Sequence, residues 1–438
     1  MIKKKQQLIY FFMFLVIALS NTVFFGIEYR GIFLMVAVVS IIGCIAWYCH
    51  SEKSDQFYRL TWNNIYICAT FTMLLICGWL FSGEMSNLSF RNAYIGFIIA
   101  FLLSLFVTEF FSKIQIVISY VNWIFWISIV SLICFAMSLL LPGLVYAIPM
   151  KMSENGYFYS IFYTWGWDNY GTGLYLLNRN CGPFWEPGAF QGFLVVALLM
   201  CVKFGNYIKA IDKKILVLLV TLLTTLSTTG LLLFVLICVV WRKEFGYYLL
   251  KNRKNQKMIK IVLVVVFAAI ALWLLFSGII TDKLATYSDP TASTGIRLMD
   301  LVNGIGLCTV RPIFGMGLGT KMIKTYENAV GIGGNSNGII LMFYAMGSIF
   351  GVVYLYLMSK GVISFFEEKN KIKKITYVVI FVILQATECI FIFPVYILFL
   401  YEHNGEKANE ERKRNIGFAD MLTRISDTLR RKKNGIEE

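Results

Sequence analysis

The sequence predicts an all-α polytopic membrane protein with about 12 transmembrane helices. Hydrophobic residues make up 58% of the 438 positions and charged residues only 15%, and the mean hydropathy is +0.69. Apolar runs long enough for a helical crossing, which needs about 20 residues, recur along most of the chain. We therefore expect most of the helices to lie in a bilayer.

Most of the apolar runs are clear candidates for single crossings. The first follows Lys3, Lys4 and Lys5, as the apolar part of a signal peptide would. It lacks a small-residue cleavage site, so we interpret it as a retained span. The runs are 8–25, 31–48, 65–81, 93–111, 114–141, 189–207, 261–280 and 338–358.

Two stretches, 215–241 and 375–401, are long for one crossing and short for two. We interpret each as a helical hairpin, with turns near Ser227 and near Glu388. A single crossing at 215–241 would put the basic segment 242–260 outside, against the positive-inside bias. With both hairpins, the two termini and the strongly basic loops are predicted to be cytoplasmic.

This topology divides the chain into six regions. They are N-terminal transmembrane helices (1–141), a first long external loop (142–188), central transmembrane helices (189–280), a second long external loop (281–337), C-terminal transmembrane helices (338–401) and a basic cytoplasmic tail (402–438). Loops this long usually carry function, so both external loops are candidate regions for a site.

The formal net charge of +15 lies mainly in the cytoplasmic loops and the tail, where membrane lipids with anionic headgroups explain it. No nucleic acid partner is expected. Within the tail, apolar residues at helical spacing predict a helix on the inner membrane surface. A disordered basic tail is the alternative. The apolar residues are Phe418, Met421, Leu422, Ile425 and Leu429.

The first external loop ends in RNCGPFWEPGAFQGF, residues 179–193, at the mouth of a membrane helix. Arg179 is a candidate substrate-binding residue, because the glycine-proline turn after it would hold it over the bundle; snorkelling to the interface is the alternative. Trp185 could stack on a sugar face or belong to an interfacial aromatic belt. Glu186 is the first candidate catalytic base, or a carboxylate that only favours the helix start.

The second external loop contains a predicted helix with Arg297 and Asp300 one turn apart. They are either a surface ion pair or a substrate-binding arginine and a second candidate base. Arg311 follows just before a proline that stops the helix. Asn335 and Asn337 stand at the outer mouth of the next membrane helix, where capping is the alternative role for Asn337.

These arginines come from distant segments but share the predicted external face. A guanidinium is always charged and matches phosphate oxygens in a bidentate way, so the set suits a pyrophosphate attached to a lipid. No metal ion and no cofactor are expected, because there is no D-x-D spacing and no pair of histidines. Cys181 and Cys308 both lie in the long external loops, where an oxidising face would permit a disulfide.

Three motifs resemble one family: R-x-x-G-x-F-W-E-P-G-x-F from Arg179, R-P-I-F-G-M-G-L-G from Arg311, and N-S-N-G before a glycine-containing helix. Together they resemble the O-antigen polymerase and ligase family, the Wzy-type polymerases of bacterial surface polysaccharide assembly. The resemblance implies a GT-C-like, metal-independent glycosyltransferase of the bacterial cytoplasmic membrane with an external active site. It implies that Arg179 and Arg297 contact the donor pyrophosphate and that Arg311 supports them.

The resemblance also implies the substrate, an undecaprenyl-pyrophosphate-linked oligosaccharide whose glycan is transferred to a sugar hydroxyl of the next repeat unit. A chain-length regulator and a flippase are implied partners. Related ligases have a histidine where this chain has Ser336, and His50 and His403 are predicted to be cytoplasmic, so the departure favours a polymerase over a ligase-type transferase. The remaining alternative is a flippase, which would need charges deep in the bundle, where the predicted spans have few.

Overall fold

The computed structural model describes residues 2–50, 61–82, 88–141, 149–153, 156–159, 165–167, 179–250, 293–330 and 337–403. Within these ranges the chain is mostly helical, and five helices are long and apolar enough to cross a membrane. They are Trp62–Phe81, Arg91–Phe110, Lys113–Met137, Pro187–Tyr207 and Ser348–Phe366. Shorter apolar helices accompany them, which agrees with an all-α membrane protein. The predicted span 261–280 and the predicted tail helix lie outside the described residues.

The N-terminal part contains five α-helices and a π-helical turn. They are α1 (Ile2–Ala18), the π-helical turn Val23–Glu28, α2 (Arg30–His50), α3 (Trp62–Phe81), α4 (Leu88–Phe110) and α5 (Lys113–Leu140). Helix α1 packs against both α4 and α5. The predicted first span, 8–25, is wrong at its end, because α1 stops at Ala18 and the chain turns through Asn21, which has a φ of 63°. Ser112 and Gln115 form a capping box at the start of α5.

The predicted loop 142–188 contains a small antiparallel sheet that was not expected from the sequence. Its strands are β1 (Pro149–Ser153), β2 (Gly156–Tyr159) and β3 (Trp165–Trp167), in the order β1-β2-β3. Tyr157 pairs with Met152 on one side and with Trp167 on the other. The aromatic residues of this loop suit strands, because β-branched and aromatic side chains are favoured on a pleated surface.

The central part is built around α6 (Pro187–Phe204), in which 94% of the most apolar 18-residue stretch is buried inside the protein. A 3-10 turn (Gly205–Tyr207) leads to α7 (Ile211–Thr224), α8 (Thr228–Val240) and α9 (Arg242–Leu250). Helices α5, α7 and α8 pack around α6. The break at 225–227 between α7 and α8 lies at the turn expected for the first hairpin.

The C-terminal part contains the remaining helices. They are α10 (Ser293–Cys308), α11 (Lys321–Ala329), α12 (Gly338–Met346), α13 (Ser348–Phe366), α14 (Lys371–Thr387) and α15 (Pro394–Ile397), which a 3-10 turn (Leu398–Leu400) extends. Helix α14 ends at Thr387, where the turn of the second hairpin was expected. The second arm of that hairpin is helical only from Pro394 to Leu400.

The predicted span 338–358 is not one continuous helix, because the chain breaks into α12 and α13 at Gly347. Gly347 has a φ of 89°, which a residue with a Cβ rarely adopts. The segment after α10 fills the break with three backbone hydrogen bonds. The Met316 amide donates to the Tyr344 carbonyl at 2.9 Å, and the Gly317 amide donates to the Ala345 carbonyl at 2.8 Å. The Ser348 amide donates to the Pro312 carbonyl at 2.7 Å. Irregular backbone can therefore lie inside the bundle, because its polar groups are paired.

Helix ends gather at two opposite ends of the bundle. At the first, which we call the Glu388 end, the starts of α6 and α12 contact the chain just after α14. At the second, the Glu367 end, Glu367 follows α13 and pairs with Lys113 at the start of α5. The Glu388 end contains most of the residues that the sequence analysis selected and that the structure describes.

Candidate functional site

Asn180 fixes the chain that leads into the Glu388 end. Its side chain is fully buried, and its Nδ2 donates to the Thr224 hydroxyl (3.0 Å) and to the Ser131 hydroxyl (3.2 Å). Its amide donates to the Thr224 carbonyl, and its Oδ1 accepts from the Gly182 amide (both 3.0 Å). One residue therefore joins α5, the end of α7 and the turn before α6. Nothing in the sequence distinguishes this residue, since an asparagine in a loop has no characteristic pattern.

Arg179 is half-buried beside this anchor. Its Nε donates to the Thr225 carbonyl at 3.0 Å, just after α7 ends. Helix carbonyls at a C-terminus carry partial negative charge, so a guanidinium is stabilised there. The guanidinium is thus held near the α7–α8 turn by its Nε, an arrangement that differs from a side chain snorkelling along lipid.

The residues between Asn180 and α6 are packed tightly against the bundle. The Phe184 ring stacks on the rings of Phe193 (centroids 4.2 Å apart) and Phe190 (5.4 Å). The Val23 amide donates to the Pro183 carbonyl at 2.8 Å, which ties this segment to the turn after α1. These contacts place the F-W-E-P-G sequence rigidly at the start of α6.

Trp185 and Glu186 come directly before α6, and both are half-buried. The Trp185 ring packs edge-on against the Phe393 ring, with centroids 5.4 Å apart. Glu186 is the N-cap residue of α6 by backbone geometry, but its carboxylate accepts no capping hydrogen bond from that helix. Glu186 therefore lies at the helix start without capping it, and both interpretations of this residue, a catalytic base and a carboxylate that favours the helix start, stay predictions.

Glu388 lies where α6 and α12 begin, and its side chain is only 5% exposed. Its Oε1 lies so close to Gly188 that a Cβ at this position would come well within 3.0 Å of it. Its backbone carbonyl makes an equally close approach to Gly338, the first residue of α12. Two glycines of the sequence motifs, from the E-P-G and N-S-N-G segments, thus make room for one buried acidic residue.

Asn337 caps α12, which was the alternative interpretation of this residue. Its Oδ1 accepts from the amides of Ile339 and Ile340, both at 3.1 Å. A side-chain oxygen at this position satisfies amides that have no partner within the helix. The cap holds the start of α12 against Glu388.

Four carboxylates act on one thiol at the Glu388 end. Burial raises the pKa of Cys389, and the charges of Glu388, Glu186, Asp300 and Glu327 raise it further, in that order. Asp300 is 2% exposed on α10, which packs against α12. Glu186 and Asp300, the two candidate bases, therefore lie at the same end of the bundle as Glu388 and Glu327, close enough for their charges to act on one thiol.

Glu327 on α11 is an acidic residue that the sequence analysis did not select. Its Oε1 accepts a hydrogen bond from the Tyr344 hydroxyl at 2.6 Å. Burial raises the pKa of its carboxyl; the Tyr344 bond lowers it, the charge of Asp300 raises it and that of Lys324 lowers it. Raised carboxyl pKa values are a feature of general acids and bases, so Glu327 is a further candidate for proton transfer.

Arg311 lies at a different place from Arg179. Its Nη1 donates to the Phe81 carbonyl (2.8 Å) and the Ser82 carbonyl (3.0 Å), where α3 ends. It thus stabilises the C-terminus of α3. Arg297 lies in the first turns of α10, but its side chain is outside the described part of the chain, as is Asn335.

The disulfide that the sequence permitted is not formed in the structure, where neither Cys181 nor Cys308 belongs to a disulfide. Cys181 is buried beside Val23 and Trp185, whereas Cys308 ends α10 and is half-buried. The position of both cysteines in long predicted loops says nothing about their separation, and sequence alone could not supply it.

The Glu388 end thus has a guanidinium held at a helix C-terminus, two carboxylates at the starts of α6 and α12, and two more on α10 and α11. Among the described residues, no group of three or more His, Cys, Asp or Glu side chains is arranged to hold a metal ion. Such an arrangement can bind an anion at Arg179 and accept a proton at a carboxylate. No protein-family model matches the chain, and no curated protein matches it significantly.

Proposed function

We propose that the protein polymerises lipid-linked oligosaccharide repeat units by transferring glycan from an undecaprenyl pyrophosphate carrier to a sugar hydroxyl of the next unit. One observation supports it most: Gly188 and Gly338, from two motifs that resemble the polymerase and ligase family, both contact Glu388. These motifs are about 150 residues apart, yet they share one end of the bundle, as a common site requires.

The proposal includes a topology of about 12 spans in a GT-C-like arrangement, in the bacterial cytoplasmic membrane, with both termini cytoplasmic. The Glu388 end then faces outside and the Glu367 end faces the cytoplasm. The positive-inside bias favours this orientation, because the basic segments 242–260 and 369–374 follow or precede helices at the Glu367 end.

In this reaction Arg179 and Arg297 bind the donor pyrophosphate, whose charge grows as its bond to the sugar breaks. Glu186 is the first candidate to take the proton from the acceptor hydroxyl, and Asp300 the second. Trp185 provides an aromatic face for a sugar. The remaining candidates contribute by support: Arg311 by holding α3, Asn337 by holding α12 and Asn335 by its place before α12.

The test is polymer formation by purified protein in lipid nanodiscs, with synthetic undecaprenyl-pyrophosphate repeat units from the host pathway. We compare wild type with Arg179→Lys, and with Arg242→Lys, which changes an exposed arginine at the Glu367 end. A ladder of products is expected from wild type and Arg242→Lys. Arg179→Lys is expected to lose most activity, because lysine keeps the charge but not the bidentate fork.

Full activity of Arg179→Lys would overturn the role of the guanidinium. Absence of any ladder from folded wild-type protein would overturn polymerisation. A flippase or a ligase-type transferase would then be tested by lipid flipping and by transfer to an added acceptor.

A further inference from the structure

Arg30 is the first residue of α2 and lies at the Glu388 end of the bundle. The turn before it is tied to that end, because the Val23 amide donates to the Pro183 carbonyl just before α6. The Arg30 side chain is half-buried, and its guanidinium lies on Gly96 of α4. A Cβ on Gly96 would come within 2.8 Å of Nη2 and within 3.3 Å of both Cζ and Nε. The guanidinium therefore occupies the space that this glycine leaves.

This contact places the guanidinium beside the apolar part of α4. The apolar stretch of α4 that is long enough to cross a membrane starts at Arg91, and Gly96 is five residues further along. At a rise of about 1.5 Å per residue, the guanidinium lies roughly 7–8 Å along α4 from the start of that stretch. An arginine near a helix end ordinarily extends its charged group to the water. Arg30 instead lies in a notch between two helices.

Nothing in the described part of the chain compensates the charge of Arg30. Its guanidinium makes no hydrogen bond and no ion pair with the residues that the structure describes, whereas Arg179 and Arg311 each donate to backbone carbonyls at helix ends. The first turn of α2 contains no acidic residue. The amides at a helix start carry partial positive charge, which opposes a cation at this position. A bound anion would therefore offset both the partial burial of Arg30 and its unfavourable place on the helix.

The junction of α2 and α4 lies at the apolar surface of the bundle. Helix α2 packs mainly against α1 and α4. Its outer side presents a stripe of apolar side chains at helical spacing, which are between 57% and 68% exposed. An exposed apolar stripe of this kind is typical of a surface that contacts lipid chains. The residues of the stripe are Ile32, Met35, Val39 and Ile42.

A phosphate joined to acyl chains fits this combination of groups. A guanidinium binds phosphate oxygens in a bidentate way. Asn92 is four residues before Gly96, so it lies on the same side of α4, one turn nearer the helix start, and its side chain is exposed. Its amide can donate to the same headgroup. A headgroup with its own cation, such as choline, would bring positive charge back to Arg30, so a net anionic lipid is favoured.

We propose that Arg30, Gly96 and Asn92 form a binding site for the phosphate of an anionic phospholipid at the junction of α2 and α4. The headgroup neutralises Arg30, and the acyl chains cover the apolar stripe of α2. The bound lipid holds α2 against α4 and so stabilises a helix with few neighbours. It binds independently of the proposed glycan transfer, whose candidate carboxylates lie near the starts of α6 and α12.

Native mass spectrometry of the protein in detergent measures lipid binding directly, with phosphatidylglycerol and phosphatidylcholine titrated separately. Wild type is expected to bind its first phosphatidylglycerol more tightly than phosphatidylcholine. Arg30→Gln is expected to weaken phosphatidylglycerol binding about tenfold or more, because a charge-assisted bidentate contact is lost. Arg91→Gln is the matched control, since it removes the same charge from an exposed position on α4. It should change the affinity by less than about twofold, because solvent and salt screen an exposed charge.

Two results would overturn the site. One is an Arg30→Gln protein that binds phosphatidylglycerol as tightly as wild type. The other is an equal loss of affinity in Arg91→Gln, since any positive charge near the membrane would then serve.

Gly96→Ala moves the guanidinium without changing the charge. The added Cβ displaces the end of a flexible side chain and no backbone atom within 4 Å, so the protein is expected to fold. Phosphatidylglycerol binding should weaken about threefold or more, because the guanidinium no longer lies in the notch. Gly31→Ala is the matched control: Gly31 is next to Arg30, and a Cβ there meets nothing within 4 Å. Equal affinities of the two alanine variants would show that the notch does not place the guanidinium for binding.

Thermal midpoints in nanodiscs separate a lipid site from an arginine with a purely structural role. In phosphatidylcholine alone, Arg30→Gln should unfold at the same temperature as wild type or a higher one, because an uncompensated cation at a helix start is removed. Added phosphatidylglycerol should raise the midpoint of wild type and not that of Arg30→Gln, since a ligand that binds only the folded state stabilises it. A lower midpoint of the variant in both lipids would overturn the proposal, because the guanidinium would then have a protein partner.

A soluble isoprenyl pyrophosphate distinguishes a phospholipid from the lipid carrier of the proposed reaction. Farnesyl pyrophosphate is added to protein that holds phosphatidylglycerol, and the bound species are counted by native mass spectrometry. The phospholipid is expected to stay bound in wild type. Its displacement by a pyrophosphate that Arg30→Gln no longer binds would overturn the phospholipid assignment, since Arg30 would then bind the carrier.

Discussion

Charged side chains are arranged differently at the two ends of the helix bundle. At the Glu367 end, acidic residues lie across from lysines on neighbouring helices. The pairs are Lys113–Glu367, Lys203–Glu368 (3.4 Å), Lys373–Glu244 and Lys360–Glu402 (2.9 Å). At the Glu388 end, four carboxylates lie close enough for their charges to act on the Cys389 thiol. Glu186 directly precedes α6, and Glu388 follows α14 and contacts the starts of α6 and α12.

This difference separates a structural end from a candidate functional end. Opposite charges at the Glu367 end compensate each other and hold helix termini together. Like charges at the Glu388 end raise the free energy of the folded state, so the surrounding packing must offset them. The close approach of Glu388 to Gly188 and Gly338 shows how that packing is achieved.

Gly338→Ala is expected to have the largest effect, because it breaks the packing at the Glu388 end. Its Cβ would meet the backbone carbonyls of Glu388 and Gln385 at impossibly short distances, and backbone cannot rotate away as a side chain can. We expect a loss of more than about 3 kcal/mol in unfolding free energy. The thermal unfolding midpoint in detergent measures it.

Gly306→Ala is the control for that variant. Gly306 also lies in a helix, α10, but a Cβ there meets nothing within 4 Å. Alanine should leave the midpoint unchanged or raise it slightly, since it favours helix by up to about 1 kcal/mol. Equal midpoints for both variants would contradict the close packing of Glu388.

Asn180→Ala is expected to have the next largest effect. It removes three side-chain hydrogen bonds at a fully buried position and leaves the Ser131 and Thr224 hydroxyls short of a partner. The expected loss is about 3 kcal/mol. Asn180→Asp keeps the acceptor for the Gly182 amide, so it should recover only part of the lost unfolding free energy. Full stability of the alanine variant would show that the hydrogen bonds of Asn180 are unnecessary.

Acid is expected to weaken the Glu367 end through His403. The ring is buried, and its Nε2 donates to the Leu398 carbonyl at 2.8 Å. Burial lowers its pKa from 6.5 to about 4; the Leu398 bond raises it and the Lys113 charge lowers it. Between these two values the unfolded chain binds the proton and the folded chain does not, so stability is full above about pH 6.5 and falls as the pH falls toward 4.

The expected loss between pH 7 and pH 5 is about 2 kcal/mol. Thermal midpoints across this range measure it, with His403→Asn as the comparison because it cannot titrate. A wild-type curve with the same slope as the variant would contradict a buried neutral histidine.

Lys113→Met is expected to have the smallest effect. Lys113 is buried, but its partner Glu367 is 56% exposed, so solvent weakens the attraction between them. Methionine keeps most of the volume and avoids the cost of burying a charge. The unfolding free energy, followed by the thermal midpoint, should change by less than about 1 kcal/mol. A change as large as that of Asn180→Ala would show that the ion pairs at the Glu367 end contribute more to stability than we infer.

Sequence alone predicted several helices well and several details poorly. The predicted helix 114–141 agrees closely with the observed Lys113–Leu140. The helix breaks at 225–227 and after Thr387 lie at the two turns that were expected because the apolar stretches are long for one crossing. The break at Gly347 was missed, because hydropathy continues across it and the docked Pro312–Gly317 segment is supplied by a different loop. The strands β1 to β3 were missed, because the aromatic residues of this loop were not interpreted as strand-forming residues.

The residues of the candidate site were likewise predicted only in part. Arg179, Trp185, Glu186 and Asn337 were selected from local motifs, and the structure places all four at the Glu388 end or beside it. Asn180 and Glu327 were not selected, since each gains its position from a contact with another element: with Thr224 and with Tyr344. Arg311 was grouped with Arg179 by sequence, but in the structure it caps α3.

The sequence by itself determined that this is a mostly helical membrane protein, where most helices begin and end, and which loop segments carry unusual charge. These properties depend on local composition and periodicity, which a single chain displays directly. Only the tertiary structure decided that Glu388 lies between the starts of α6 and α12, and that acidic residues gather there while lysines pair with acids at the other end. The ion pairs join residues from 42 to 254 positions apart, and no local pattern encodes such distances.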